Sequence, residues 1–219
     1  GINESIDTRT TIDIDTSGNT TTIAEAGDIT AGGAVTFGAD KSGTLTTAGE
    51  ITTSDDNVTF TNAVTLQGDV AIDTTGSSAG NILFKSTVAT ADKNLTLDAG
   101  AAGNITADKS ITGGGAFTVT DGAVQQYTGA IEVASLDIQD ATTSVTLDGA
   151  VKADTSVDIN SLTGKLTQNA SVTAGTSLDY DAAGTIDINA GITATQGPID
   201  IDAVGLTTIT EPGAIDSGG

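Results

Sequence analysis

Short units that read apolar, polar, apolar recur along the chain, as in VTF at 58–60, LTL at 95–97, FTV at 117–119 and IDI at 199–201. A period of two buries the flanking residues of a strand and exposes the middle one. Helical spacing is absent throughout. Between the units stand Gly, Asn, Asp and Ser, residues that tolerate the backbone conformations of a corner.

The units are also periodic on a longer scale, with strand centres falling in threes. The triplets are Val58, Val64 and Val70; Ile82, Val88 and Leu95; Ile105, Ile111 and Phe117; and Val124, Ile131 and Leu136. They continue as Val145, Val151 and Val157; Leu166, Val172 and Leu178; and Ile186, Ile192 and Ile199. First members advance in sequence number by 24, 23, 19, 21, 21 and 20, and the other two columns keep pace. Upstream, Val35, Leu45 and Ile51 extend the pattern and Ile14, Ile23 and Ile29 begin it, while Leu206 and Ile215 fade out of it.

Three short strands in each coil of roughly 19–25 residues predict an all-β fold, a single parallel β-solenoid of about nine to ten coils. A sandwich would need antiparallel strands of roughly 5–6 residues and no fixed triplet period. The expected solenoid fills residues 1–219, with a less regular first coil over 1–34, regular coils over 35–205 and a fading coil over 206–219. Stacked at about 4.8 Å per strand, ten coils make a rod roughly 45–50 Å long. Phe37, Phe60 and Phe84, at steps of 23 and 24 and at the third position of one strand type, are expected to stack inside as an aromatic ladder.

Composition narrows the chemistry. Only 3% of the 219 residues are aromatic, so burial rests on Ile, Val, Leu and Ala in a narrow core. The chain has no Cys, His, Met or Trp, which removes disulfides, thiolate nucleophiles, imidazole bases and the usual zinc ligand sets. Net charge is −22, against binding of nucleic-acid phosphate or anionic lipid. The regular 37% hydrophobic content argues against disorder. No apolar run is long enough to span a bilayer as a helix, and a chain opening at Gly1 without an initiator Met is expected to be a processed or excised piece.

The run VTFTNAVTLQGDVAIDTTGSSAGNILFKSTVATADKNLTLDAGAAGNITADKSITGGG, 58–115, resembles the repeats of large secreted adhesins of the filamentous-haemagglutinin and autotransporter-adhesin type. That resemblance implies a right-handed parallel β-helix, secreted or displayed at a cell surface, acting in adhesion, biofilm or filament formation. The expected role is a structural extracellular fibre subunit or adhesin stalk. The alternatives are a calcium-dependent adhesin that binds surface carbohydrate or a host surface, and a polysaccharide-active β-helix enzyme.

Four residues are candidate metal ligands. Asp137, Asp158, Asp179 and Asp200 follow one another at a constant step of 21, each between two apolar neighbours. All four should point outward, and stacked carboxylates repel by roughly 0.9 kcal/mol each even at the dielectric constant of water. Calcium is the candidate counter-ion, since it accepts several carboxylate oxygens in flexible geometry; a solvated, salt-screened acidic face is the alternative. Neither the nonapeptide calcium repeat nor an EF-hand loop occurs.

Other patterns point to structure more than chemistry. The paired carboxylates Asp55 and Asp56, or Asp179 and Asp181, lack the aromatic platforms that would grip a sugar between two catalytic carboxyls. Outward Thr59, Thr106, Thr146, Thr167 and Thr207, interrupted by Asp187, suit strand propensity. Asn-x-Ser/Thr sites at Asn3, Asn19, Asn57, Asn94, Asn104 and Asn169 arise readily in a chain whose commonest residue is Thr. Neither GINESIDTRT nor EPGAIDSGG reads as a capping helix, so the expectation is a slice of a longer repetitive protein or self-association of copies end to end.

Overall fold

The computed structural model describes the chain except residues 16–17, 25–26, 39–42, 79, 162, 211–214 and 219. Part of the EPGAIDSGG segment therefore lies outside the described residues. Thirty short strands fill the rest and no helix is found among them. They form three ten-stranded sheets, in each of which every third strand of the chain lies beside the one three before it. Each inter-strand pairing is parallel. Parallel pairing needs a crossover, and here the crossover is the passage through the other two sheets. The result is a β-solenoid with three strands per coil.

The first sheet runs from Ile6–Thr8 to Ile199–Ala203, the second from Ile12–Ile14 to Thr207–Ile209 and the third from Thr20–Ile23 to Ile215–Ser217. Inward residues of all three merge into one continuous hydrophobic cluster from Ile23 to Ile192. Many of these side chains are wholly buried, among them Val35, Leu45, Ile82, Leu136, Leu166 and Ile186. Each buries little area, but repetition makes the core continuous.

Phe37, Phe60 and Phe84 pair in register, and their rings stack at centroid spacings of 4.9 and 4.7 Å with 7° between planes. Isolated rings favour offset or edge-on contacts; strand spacing of about 4.8 Å imposes the parallel stack. The stack ends where Ala107 follows Phe84. Above it Tyr127 meets Phe117 edge-on at 5.8 Å.

Pairing corrects the expected register in several places. Gln125, not Val124, lies between Ile105 and Val145; Gln125 is 0% exposed and Val124 36% exposed. Along the second sheet, in-register partners in successive coils are then separated by 23 or 24 in sequence number up to Ile105 and by 20 or 21 beyond it. In the opening coil Ile12 faces Val35 and Thr21 faces Leu45, where Ile14 and Ile23 were the expected centres. A strand at Ile6–Thr8, absent from the expected triplets, pairs with Ile29–Ala31. Leu206 belongs to no strand and is 70% exposed.

At the corner before the second sheet, glycines stack where backbone meets backbone. A Cβ on Gly184 would lie 2.0 Å from the Gly164 carbonyl oxygen, and one on Gly205 would lie 2.3 Å from that of Gly184. The close approach lets Gly205 N–H donate to the Gly184 carbonyl at 2.9 Å. Gly184→Ala is expected to cost about 1–3 kcal/mol, because relief requires a coil to move. Thermal unfolding checks this, with Gly197→Ala as a second corner whose Cβ would meet the Thr176 carbonyl.

Candidate functional site

The outer face of the first sheet concentrates acid. Its ten strands contain Asp7, Asp73, Asp98, Asp121, Asp137, Asp158, Asp179, Asp181, Asp200 and Asp202, and no Lys or Arg. The other two sheets carry mostly Thr outward, with Lys152 beside Glu132 and Lys165 paired to Asp187 at 2.5 Å. Of the three sheets, the first is therefore the one with an acidic outer face.

The four predicted residues stack in register: Asp137 pairs with Asp158, Asp158 with Asp179 and Asp179 with Asp200. Thr96 and Thr118 occupy the same column before them. A neighbouring column, which the sequence pattern did not single out, carries Asn160, Asp181 and Asp202 in register. In the earlier coils amides donate to the ladder, from Gln139 Nε2 to Asp137 Oδ2 at 2.9 Å and from Asn160 Nδ2 to Asp158 Oδ1 at 2.9 Å. In the next two coils Asp181 and Asp202 replace those donors, so four carboxylates crowd two adjacent coils.

The electrostatic consequence is uniform in sign. Burial first, then the charges of Asp179 and Asp137, push the Asp158 carboxyl above the usual carboxylate range, against the hydrogen bond from Asn160. Burial, followed by Asp200, Asp181 and Asp202, raises Asp179. A second acidic group lies on earlier coils, where Asp73 pairs with Asp98 and Asp98 with Asp121 across a bulge. Burial raises Asp98, opposed by the Gly100 N–H and aided by Asp73; burial and Asp140 raise Asp121.

A calcium site needs several oxygens converging at about 2.3–2.6 Å. Among the described residues no group of three or more Asp or Glu side chains is placed to hold a metal ion. In-register carboxylates all point the same way from a flat sheet, an arrangement suited to a diffuse counter-ion layer more than a coordination sphere. Asp55, at a φ of 70°, spends its oxygens on Ser77 Oγ and the Ser78 N–H, so it braces a corner.

Corner asparagines form a further ladder. Asn81 donates to Asn57 Oδ1 through its backbone N–H at 2.7 Å and its Nδ2 at 2.9 Å; its own Oδ1 accepts from Asn104 N–H at 2.8 Å. Asn104 Oδ1 in turn accepts from Val124 N–H. Other corners carry Asp69, Asn94 and Ala116, or Asp148, Asn169 and Asn189. Asn57, Asn94, Asn104 and Asn169 of the Asn-x-Ser/Thr sites thus belong to coil-to-coil ladders, with the Nδ2 of Asn94 and Asn169 engaged by Asp69 and Asp148. Asn81→Ala is expected to lower stability by about 1–2 kcal/mol through two lost hydrogen bonds, measured by urea titration.

The threonine rank is discontinuous. From Thr59 it runs through Leu83, Thr106, Gln126, Thr146, Thr167 and Asp187 to Thr208. Thr207 pairs instead with Ile186, in the inward column. Two surface depressions, about 430 Å³ along Gly18, Asn19, Thr20, Gly43 and Thr44 and about 170 Å³ along Gly113, Glu132, Val133, Lys152 and Asp154, have no aromatic lining.

No family model, curated protein sequence or solved structure matches the chain. The fold itself is that of a β-solenoid repeat protein.

Proposed function

We infer that the chain is a structural rod, secreted or at a cell surface, serving as a fibre subunit or adhesin stalk of the filamentous-haemagglutinin-like type it resembles. The observation that carries this reading is the continuous parallel pairing of three sheets through ten strands each, with a bulge at Leu97 and Asp98 that shifts the register without breaking the sheet. A continuous ladder with a filled interior resists bending and local opening, because each coil is held by both neighbours. The acidic stripe keeps rods apart sideways through like-charge repulsion. The reading is structural and assigns no catalysis.

Extension along the axis follows from the edges. The strands of the last described coil pair on one side with the coil before and leave their other edge open, beside exposed Val204, Leu206, Ile209 and Ile215. Such an edge accepts a further coil, from a continuing chain or from another copy stacked end to end. Negative-stain electron microscopy of the purified chain, with and without millimolar calcium, tests the proposal. Filaments many times longer than a roughly 50 Å rod mark a fibre subunit, and their appearance only with calcium would assign the Asp ladder a bridging role. Short monodisperse rods in both conditions overturn self-assembly and leave a stalk segment; particles without rod shape overturn the structural reading altogether.

A further inference from the structure

Two glutamines are fully buried in an interior whose other buried polar groups are mostly threonines, and each is met by a buried tyrosine. Tyr127 Oη donates to Gln125 Oε1 at 3.1 Å, while Gln125 Nε2 donates to the Asp140 carbonyl at 2.6 Å. Tyr180 Oη donates to Gln168 Oε1 at 3.2 Å across the interior from the first sheet to the second. Gln168 Nε2 faces the carbonyls of Ala170 at 3.0 Å and Ala190 at 3.2 Å, which belong to the corners of two successive coils. All four side chains are at most 1% exposed. Burying an amide and a phenol adds little to stability over apolar residues of the same shape.

What the pairs do supply is directional demand. Strands such as VDINS, LDYDA and IDIDA, stacked at 157–161, 178–182 and 199–203, keep apolar residues inside and acids outside if slid by one full pleat. Hydrophobic alternation alone does not distinguish those registers. Around Gln125 the competition is between adjacent positions, since VQQY could turn Val124 inward in its place. In a slid arrangement Gln125 Nε2 loses the Asp140 carbonyl, and Gln168 loses the Tyr180 hydroxyl and the Ala190 carbonyl, while Gln125 keeps Tyr127 of its own strand.

We propose that the Gln125–Tyr127 and Gln168–Tyr180 pairs are register locks, selecting one strand alignment where the apolar pattern admits several. Both stand in the shorter coils. The first sits where the step between in-register partners drops from 23, between Ile82 and Ile105, to 20, between Ile105 and Gln125. The lock works through the cost of the bonds a slide breaks, Gln125 to the Asp140 carbonyl and Gln168 to Tyr180 and the Ala190 carbonyl, which lowers the slid population by about five- to a hundredfold.

Disulfide trapping during refolding reads the register directly, as the chain has no cysteine of its own. Asp158 and Asp179 are in-register neighbours, so D158C/D179C reports the native alignment at about 4.8 Å. Asp158 and Asp181 are diagonal neighbours, beyond the roughly 7 Å that a disulfide bridges, so D158C/D181C closes only after a slide of one pleat. With the lock intact, the second bond is expected to form at least about fivefold less than the first. Adding Q168L and Y180F is expected to bring the two yields close to each other while the protein still folds. Unchanged native-only trapping overturns the proposal. Loss of folding also overturns it, since the pair would then be a stabilising element; Y180F alone, which removes one hydroxyl, must move the ratio in the same direction.

Discussion

Replacing Phe60 by alanine is expected to destabilise the protein by about 3–5 kcal/mol, the range for removing a buried aromatic side chain. Phe60 is the middle ring of the stack, with Phe37 at 4.9 Å on one side and Phe84 at 4.7 Å on the other. Alanine would leave a void bounded by two ring faces. Backbone collapse cannot fill it, because strand hydrogen bonds fix the spacing of the flanking coils. Phe37→Ala or Phe84→Ala removes one stacked contact instead of two and should cost less. Double substitution of Phe37 and Phe60 should be sub-additive, since the contact between them is lost only once. Hydrogen exchange is the suitable readout, because long repeat arrays need not unfold in a single step. Loss of protection should centre on 35–37, 58–60 and 82–84; an effect under about 1 kcal/mol would show that strand pairing, not ring stacking, holds these coils.

The aromatic stack was legible because three bulky residues recur at the coil period and at one strand position. The Asp137 to Asp200 ladder was legible for the same reason, at a constant step of 21. Val124 shows where that logic fails. A search for apolar strand centres takes the nearest aliphatic residue, yet the inward slot belongs to Gln125, whose amide finds a corner carbonyl inside. Tertiary hydrogen bonding thereby overrides hydrophobic patterning. In the opening coil Ile12 and Ile14 are both inward candidates, and only pairing to Val35–Phe37 sets which aligns with which. The asparagine ladder had a signal that composition obscured: Asn57, Asn81 and Asn104 each precede the first apolar residue of a strand, at steps of 24 and 23. As possible sequon or corner residues they read individually; the shared step identifies them as a column. Asp181 stood out as a neighbour of Asp179, but its column with Asp202 was harder to find, because Asn160 breaks the chemical identity of that column while preserving its geometry.

Acidification is expected to raise the melting temperature, the reverse of ordinary acid denaturation. Asp98, Asp121, Asp158 and Asp179 all titrate above the usual carboxylate range in the folded chain, each with burial as the main cause and neighbouring carboxylates adding to it. A group raised on folding binds more protons in the folded than in the unfolded state between the two values. Stability therefore falls as pH rises through that window. The contribution is fully present below the unfolded value and lost once the folded carboxyl ionises. Melting temperature should climb as pH falls from neutral toward the ordinary carboxylate value of about 4, most steeply at low ionic strength, where screening of the solvent-facing carboxylates is weakest. Samples must be dilute near the isoelectric point of about 4.1, where loss of net charge removes lateral repulsion. Asp179→Asn should flatten the rise and add about 0.2–1 kcal/mol at neutral pH, toward the lower end for a ladder in contact with water. Asp187→Asn should instead lower stability at neutral pH by about 0.2–1 kcal/mol, since it breaks the ion pair with Lys165. A melting temperature that falls steadily on acidification from neutral pH would show that the acidic stripe is neutralised by another route, and bound cations would then be the first place to look.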